Sequence, residues 1–391
     1  MTERIKVGFG WSSAGQAREA GREAAWAALT EGEKADVAFL FSTVGYDAQA
    51  LLGGVREVLG ETSIHGSTSF TGLITPQGFK GDDGDAVAVL TIRSPEMRFG
   101  VGATAIGDDA VAGGRTAAQQ VLDALDGFPD LILMLASPGD EEGIIAGIEE
   151  VVSGVPIVGG SAADNTVSGE WSVFAKDRVL TSGVVVTAIQ SNLPLGITYG
   201  SGYRPTEKSA MATKAEGRTL YELDGRPALQ VYAEWTGQDP KNLAGMELLG
   251  ASILAPVAVQ DEGSGFYLVK HPGVGQEDGS IALFAAIEEG AEVTLMEATV
   301  DDLIGEVGAA VGAAMQDAGL SKGQVAALLL VHCGGRRGII GDRINEVVEQ
   351  VKGRIGDAPF LGYCTFGEQG CLPTGANVHC DLLLSAWVIG S

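Results

Sequence analysis

One plan of alternating elements occurs three times in this chain, and this repetition constrains the fold more than any other feature. Each stretch reads as a short strand, an Ala-rich helix, an apolar strand, a second helix and a third strand that ends in a small-residue loop. Repetition of this kind is the signature of a fold built from similar units that bury a common core. The three stretches cover about residues 6–92, 98–189 and 292–388.

The middle strand of each stretch is an uninterrupted apolar run. Such runs are typical of strands that are covered on both faces. The second helix carries apolar residues at i, i+4, i+7 and i+8, which places them in one buried stripe. The runs and stripes are residues 37–42 with Leu51, Val55, Val58 and Leu59; residues 131–136 with Ile144, Ile148, Val151 and Val152; and residues 327–332 with Ile340, Ile344, Val347 and Val348.

A region of different character separates the second stretch from the third. From about residue 190 to 290 the pattern predicts a mostly antiparallel insertion, with a helix that begins near Pro227, where a missing amide costs nothing. The third stretch is then predicted to open with a strand at residues 292–296. We therefore expect an α/β protein of two lobes, with mixed β-sheets flanked by helices. Residues 1–222 would hold two repeats, and residues 223–391 the inserted region and the third repeat.

Charge and hydropathy exclude several kinds of partner. The formal net charge is -26, from 51 acidic and 25 basic side chains, and no cluster of Lys and Arg suits a nucleic acid. The apolar runs are far shorter than the ~20 residues that span a bilayer. Residues 1–6 lack the basic and apolar segments of a secretory signal. We expect a cytoplasmic protein without a membrane or nucleic-acid partner, whose four cysteines stay reduced.

The small-residue loops are the predicted ligand-binding elements. Ligands of sheets flanked by helices usually bind beyond the carboxyl ends of strands, where loops expose main-chain amides to a crevice. The loop residues Ser67, Thr68, Ser161, Cys364 and Thr365 are therefore expected to converge on one crevice between the lobes.

The third stretch adds the strongest polar signal. Arg336 follows a buried strand together with Cys333, and a guanidinium there could hold a carboxylate bidentately. The alternative for Arg336 is a surface helix start that pairs with acids such as Glu346. The segment from Tyr363 to Glu368 places a carboxylate on a Gly-bounded turn. An Arg and a Glu facing one cavity would suit a ligand that carries both charges.

Several short motifs, in this order, resemble the FIST (F-box and intracellular signal transduction) family. They are residues 37–72, with a Gly-Ser-Thr loop; residues 203–205 and 221–228, with Leu-Asp-Gly-Arg-Pro-Ala; residues 332–336, with Cys-Gly-Gly-Arg; and residues 362–368, with a Gly-Glu turn. The resemblance implies a sensory protein with an N and a C domain that binds small ligands and is usually coupled to signalling domains. The ligand it leads us to expect is an amino acid or a carboxylate-like metabolite. Since both parts account for the chain, we expect it to signal in trans through a partner protein and not to be an enzyme.

Two other functions remain open. An enzyme could use Cys364 as a nucleophile with Glu368 and His379, since a thiolate needs a nearby base. Some stand-alone proteins of the family are haem-dependent gas sensors that act on a histidine kinase, and haem needs an axial ligand in an apolar pocket. The candidate haem ligands are His65, His271, His332 and His379.

A structural metal site is not expected. It would have to use Cys371, His379 and Cys380. Adjacent residues on a strand point to opposite faces, so His379 and Cys380 cannot both face one ion.

Overall fold

Three sheets of the same strand order surround a shared core, and a fourth sheet is inserted beside them. The computed structural model describes residues 4–29, 34–125 and 127–391. The first three residues of the N-terminal segment discussed above lie outside the described residues.

The first two stretches contain the predicted alternation of strands and helices. The first consists of β1 (Lys6–Ser12), α1 (Ala17–Ala28), β2 (Val37–Ser42), α2 (Ala48–Leu59), β3 (Ser63–Thr68), β4 (Leu73–Thr75), β5 (Gly78–Lys80) and β6 (Val87–Arg93). The second consists of β7 (Met97–Ala105), α3 (Ala110–Ala124), β8 (Leu131–Ala136), α4 (Glu141–Glu149), β9 (Ile157–Ser161), β10 (Val173–Ala175), β11 (Arg178–Leu180) and β12 (Gly183–Ser191).

The remainder of the chain contains the insertion and the third stretch. The elements up to the insertion's end are β13 (Leu195–Gly200), β14 (Arg204–Glu216), β15 (Thr219–Leu223), β16 (Arg226–Pro227), α5 (Ala228–Thr236), α6 (Glu247–Ala251), β17 (Val257–Gln260), β18 (Tyr267–Lys270), β19 (Pro272–Gly275), β20 (Ile281–Leu283) and β21 (Glu292–Glu297). Then follow α7 (Val300–Asp317), β22 (Val325–Cys333), α8 (Gly334–Ile340), α9 (Ile344–Ile355), β23 (Phe360–Thr365), β24 (Glu368–Cys371), β25 (Asn377–Cys380) and β26 (Leu384–Gly390). Two short 3₁₀ helices lie at Pro240–Leu243 and Gly341–Arg343.

The three sheets exchange hairpins in a closed cycle. Their orders are β1-β6-β2-β3-β10-β11, β7-β12-β8-β9-β24-β25 and β13-β26-β22-β23-β4-β5. In each sheet the third and fourth strands are parallel and the other pairs are antiparallel. The last two strands always come from another stretch, so no sheet is complete without a neighbour.

The cores explain why the apolar runs take central positions. Strands β2 and β8 are buried at every residue, which confirms the prediction that these runs are covered on both faces. Their inner faces join those of β22 and β26 in one cluster that includes Phe39, Phe41, Leu133, Leu329 and Trp387. Their outer faces pack against the helices, as where Leu51 and Val55 of α2 meet Leu40 of β2. The predicted mixed α/β class is confirmed.

The strand that opens the third stretch was assigned wrongly from the sequence. Strand β13 takes the edge position, where it pairs with β26 from Leu195 opposite Ile389 to Gly200 opposite Leu384. The segment expected there became β21, which pairs with β14 and β17 in the fourth sheet. The insertion therefore lies between β13 and α7. Strand β21 immediately precedes α7 in the sequence, but it does not belong to the sheet of the third stretch.

The fourth sheet has the order β18-β17-β21-β14-β15-β20-β19, with β16 beside β15. It is antiparallel throughout, as expected for the insertion. The predicted boundary at residue 222 falls inside β15. Strands from both sides of that residue share the fourth sheet and two of the other three, so the two predicted parts interlock.

Within the described residues, no helix is long and apolar enough to cross a membrane.

Candidate functional site

The loops that follow β3, β9 and β23 meet at one end of the three-sheet core. Each of these strands ends beside a parallel neighbour, and the loops bond to one another through the main chain. These bonds run from Ala163 N to Thr68 O over 3.1 Å, from Ser161 N to Gly367 O over 2.9 Å and from Phe70 N to Cys364 O over 3.0 Å. The elements predicted to bind a ligand therefore lie together.

A cavity of about 400 Å³ opens between these loops and the inserted region. Its size is that of a small-molecule site. Its wall is largely apolar, with side chains from all three stretches and from the insertion. The apolar side chains are Phe70, Val167, Trp171, Met246, Leu249, Ile253, Phe284 and Phe366. The cavity thus lies between the loops and the insertion, and residues of both predicted parts, 1–222 and 223–391, line it. The ligand crevice between the lobes stays a prediction.

Arg218 and Glu141 form one charged end of this cavity. Arg218 Nη2 lies 2.6 Å from Glu141 Oε2 and also contacts Glu142. Burial alone would raise the pKa of Glu141, but His379 and Arg218 outweigh it and hold that pKa below its ordinary value. The same balance holds the pKa of Glu142 at about 2. Both carboxylates are therefore ionised at neutral pH.

Local structure fixes these carboxylates. Glu141 is the first residue of α4, whose N-cap Asp140 accepts a bond from Gly143 N over 2.9 Å. Acidic side chains in a first helical turn are favoured by the helix dipole. Glu141 Oε1 accepts a bond from Ser161 Oγ over 2.7 Å, and Glu142 Oε1 accepts one from Ala286 N over 2.8 Å. The second contact fastens the insertion to the core.

Asp381 supplies a second carboxylate on the cavity wall. Its side chain is nearly buried, and Oδ2 accepts a bond from His271 N over 3.0 Å. Within the described residues, Oδ1 makes no hydrogen bond. Burial raises the pKa of Asp381 and lowers that of His271 to about 4. His271 is neutral, and its Nε2 donates to Leu249 O over 3.0 Å.

Asp164 shapes the loop that carries Val167 and Trp171 into the cavity. Its fully buried carboxylate accepts five main-chain bonds of 2.5 to 2.9 Å, from the amides of Thr166, Val167, Ser168, Gly169 and Glu170. Burial would raise the pKa of Asp164, but these donors outweigh it and lower the pKa. The loop is thereby held in one conformation without regular secondary structure.

Of the nine predicted ligand residues, Cys333 and Thr365 line the cavity. Thr365 Oγ1 donates to Glu368 Oε1 over 2.6 Å, so Glu368 lies one bond behind the wall. Burial raises the pKa of Glu368 to about 8. Burial also raises the pKa of the Cys333 thiol well above its ordinary value, so this thiol is protonated. Ser161 is likewise one bond behind the wall, through Glu141.

Arg336 lies away from the cavity, and its guanidinium is fully buried. It donates to Ser201 O and Leu303 O, both over 2.7 Å, and to Leu382 O over 3.4 Å. Ser201 and Leu303 lie where the chain leaves and returns from the insertion, and Leu382 lies between β25 and β26. Arg336 therefore does not face the cavity as a carboxylate-binding group, and it does not form the surface ion pair with Glu346.

The other predicted ligand residues lie inside the core and do not line the cavity. Thr68 Oγ1 accepts a bond from Ser172 N over 3.0 Å, and the Tyr363 ring stacks on Phe41 at 3.8 Å between centroids. The Ser67 hydroxyl is buried without a partner, and Cys364 is fully buried.

The chemistry of Cys364 does not suit a nucleophile. Burial raises the pKa of its thiol to about 12, so the thiolate is absent at neutral pH. His379 Nδ1 bonds to Gln369 Nε2 over 3.1 Å, and its Nε2 lies 3.8 Å from Glu141 Oε2. In the described structure, no hydrogen bond joins His379 to Cys364 or Glu368, so the predicted triad is not assembled.

The four histidines do not suit haem. Burial lowers the pKa of His65 and of His332 to about 3, and both lie in the core, as does His379. His271 is the one of the four that lines the cavity, but its Nε2 proton is committed to a main-chain carbonyl. An axial ligand needs a free imidazole nitrogen directed into the pocket. We derive no role for haem.

Glu141, Glu142 and His379 place three ligand atoms within 4.8 Å of one another, which is a spacing that metals use. Arg218 donates to both carboxylates, so its guanidinium balances their charge where a metal ion would otherwise do so. The predicted absence of a cysteine metal site stays a prediction.

Sequence reasoning missed Arg218, Glu141 and Asp381. Arg218 stands in a β-turn of the insertion, and Glu141 follows an Asp N-cap, which is a common helix start. The available signal was positional, because Glu141 and Asp381 both follow strands whose carboxyl ends face the loops. Their proximity depends on strands that pair over long distances in the chain, which the sequence pattern does not show.

Family models match most of the chain. The FIST N domain matches residues 36–226, and the FIST C domain matches residues 228–371. The uncharacterized protein Rv0628c of Mycobacterium tuberculosis is 25% identical over 383 residues, which cover 94% of this chain and 95% of that protein. The uncharacterized protein MJ1623 of Methanocaldococcus jannaschii is 39% identical over 87 residues, which cover 22% of this chain and only 17% of that protein.

Similarity to solved structures is weak. A cyanuric acid hydrolase from A. caulinodans superposes with a TM-score of 0.27 at 14% identity, covering 48% of this chain and 72% of that chain. A second cyanuric acid hydrolase structure gives a TM-score of 0.36 at 7% identity over 100% of both chains.

Proposed function

This chain belongs to the FIST family, which is associated with sensing and signal transduction, and we propose that it senses a small zwitterion with an apolar side chain. The ligand occupies the cavity between the strand-end loops and the insertion. An α-amino acid has this chemistry. The proposal keeps the amino-acid ligand expected from the sequence and replaces Arg336 and Glu368 by Arg218 and Asp381.

The observation that carries this proposal is the pair of opposite charges with unused atoms at the cavity wall. Both contacts of Arg218 to Glu141 and Glu142 use Nη2, so Nη1 is available to donate to a ligand carboxylate. A hydrogen bond from a charged guanidinium to a carboxylate is stronger than a bond between neutral groups. Asp381 Oδ1 is available to an ammonium group.

The apolar wall favours a ligand that carries an apolar side chain in addition to its two charged groups. Trp171 and Phe284 lie on this wall, and the cavity is too large for a charged head group alone. Burial of a side chain the size of Leu or Phe contributes about 1.5–3 kcal/mol, which a polar head group does not supply. A ligand with a large apolar side chain is therefore favoured over glycine or acetate.

Three compounds that share one ring separate the two charges. L-Phenylalanine carries both, phenethylamine only the ammonium and hydrocinnamate only the carboxylate. We expect L-phenylalanine to give the largest thermal shift, since a ligand at 100 times its Kd stabilises the folded state by about 2.7 kcal/mol. Isothermal titration calorimetry then measures each affinity, and other L-amino acids follow in a panel.

Two variants assign the charges. Arg218→Met should weaken L-phenylalanine and hydrocinnamate but leave phenethylamine unchanged. Asp381→Asn keeps an acceptor for His271 N and should weaken L-phenylalanine and phenethylamine instead. Arg226→Met is the matched control, because Arg226 pairs with Glu234 on the surface. The proposal is wrong if no compound binds the wild type, or if both variants weaken all three compounds equally.

A partner protein is the expected reader of the bound state, and a histidine kinase is one such partner. The insertion contributes Arg218, His271 and Phe284 to the cavity, so its position depends on the ligand. All four cysteines are free thiols, which supports a reducing compartment such as the cytoplasm. Hydrogen exchange with and without L-phenylalanine tests the coupling. Protection should extend from the cavity into β15 and β20, and protection confined to the strand-end loops would contradict it.

A further inference from the structure

Two helical glycines line the cavity at positions where a side chain would meet nothing. Gly250 lies in α6 and Gly338 in α8. Apart from its chain neighbours and the backbone of its own helix, an ideal Cβ at either position has no atom within 4 Å. By contrast, a Cβ at the core residue Gly147 would lie 2.0 Å from Val111 O. Packing therefore requires glycine at Gly147 and does not require it at Gly250 or Gly338.

Backbone conformation does not require glycine at these positions either. Both residues have helical geometry with a negative φ. Glycine inside a helix is less favourable than alanine, because it loses more backbone freedom on folding. Both glycines are exposed and line the cavity, so glycine there lowers helix stability without a packing or backbone reason.

The two helices belong to one wall. His271 Nε2 donates to Leu249 O of α6, and His271 Cε1 would lie 3.7 Å from a Cβ at Gly335 of α8. A separate observation supports a ligand at this wall. Asp381 lines the same cavity, is 3% exposed, and has no hydrogen bond to Oδ1 in the described residues.

We infer that Gly250 and Gly338 determine the specificity of this cavity for a ligand that carries a flat ring. The inference rests on the proposed function and adds the shape of the apolar part. Side chains at these positions would narrow the cavity, whereas glycine leaves a flat surface beside α6 and α8. Trp171, Phe284 and Phe366 supply ring faces and edges, and aromatic rings pack against such groups in offset or edge-to-face arrangements.

Leucine at each glycine tests the inference, with anilinonaphthalene sulfonate (ANS) as a fluorescent probe that has flat rings and one anionic group. Gly305 of α7 and Gly353 of α9 are matched controls: both are exposed, helical and without an atom within 4 Å of an ideal Cβ, and both lie outside this cavity. We expect Gly250→Leu and Gly338→Leu to weaken ANS and L-phenylalanine about tenfold or more, since added methyl groups fill the ligand's space. Gly305→Leu and Gly353→Leu should stay within about twofold of the wild type.

The outcomes separate this inference from the proposed function. Equal loss in all four variants, or no loss in Gly250→Leu and Gly338→Leu, overturns the inference. Absence of ANS binding by the wild type also overturns it, while L-phenylalanine binding would leave the charge assignment standing. If ANS binds as expected but neither Arg218→Met nor Asp381→Asn changes amino-acid binding, the proposed zwitterion fails and the ring-shaped space remains. Circular dichroism of each variant confirms that it is folded.

Discussion

Replacement of Arg336 by methionine should destabilise the fold and leave ligand binding intact. The guanidinium is fully buried and donates to three carbonyls, of which Ser201 O and Leu303 O lie where the insertion leaves and rejoins the core. Methionine fills a similar volume but offers no donor, so these carbonyls lose their partner. A role in the ligand site would produce the opposite result, with affinity lost and stability kept.

The magnitude follows from the bonds. Two of them are 2.7 Å long, and a hydrogen bond from a charged group contributes about 1.5–3 kcal/mol, which gives about 3–6 kcal/mol in all. Burial lowers the pKa of Arg336, which shows that desolvation of the charge costs part of this gain. Methionine avoids that cost, so we expect a net loss of about 2–4 kcal/mol in the free energy of unfolding.

Urea unfolding, followed by far-UV circular dichroism, measures this loss as a lower midpoint. Arg343→Met is the control, because Arg343 is exposed and its ion pairs should leave the midpoint nearly unchanged. L-Phenylalanine affinity of folded Arg336→Met should remain within about twofold of the wild type. A variant as stable as the wild type would refute the proposed role of the three carbonyl bonds, and a selective loss of affinity would return Arg336 to the ligand site.

Three further predictions concern titratable groups. The pKa of Asp164 is lowered, so its ionised carboxylate stabilises the loop above the carboxyl's unfolded pKa of ~4, and this stabilisation is lost on acidification. Amide exchange in residues 166–170 should therefore rise at low pH. In Asp164→Asn the same amides should exchange faster at neutral pH, with little dependence on pH. The pKa of Glu368 is raised to about 8, so this carboxyl favours the folded state only while it is protonated. The free energy of unfolding should therefore fall from about pH 5 to about pH 8. A Glu368→Gln variant whose urea midpoint falls equally over this range would contradict this. Iodoacetamide at neutral pH should modify the partly exposed Cys371 before the buried Cys364. Early labelling of Cys364, detected by mass spectrometry, would support Cys364 as a nucleophile again.

Local patterns were sufficient to predict the buried strands and the helices that cover them. The run at β2 has no polar residue until Ser42, and only a strand enclosed on both faces accommodates it. The small-residue loops were also placed at the correct ends of their strands. The period of apolar residues shows which face of a helix or strand is buried, so the strands and helices that form the core can be predicted from the sequence.

Pairing partners and side-chain direction were not visible. Strands β13 and β21 have similar short apolar patterns, and the choice between them depends on which one reaches β26. Arg336 and Arg218 illustrate the same limit, because both are arginines beside strand ends. One is taken up by three carbonyls and the other faces two carboxylates. These differences arise from contacts between residues far apart in the chain.

The exchange of hairpins between the sheets makes the cavity a joint product of all three stretches and the insertion. Phe70, Glu141 and Thr365 come from three different stretches, and Arg218 comes from the insertion. The insertion is held to the core near the cavity by Arg218 with Glu141 and by His271 N with Asp381. On the proposed function, a zwitterion that binds Arg218 and Asp381 would act on the same two contacts. Its charges would then change the attachment of the insertion to the core, and the insertion would be the surface on which a partner detects the ligand.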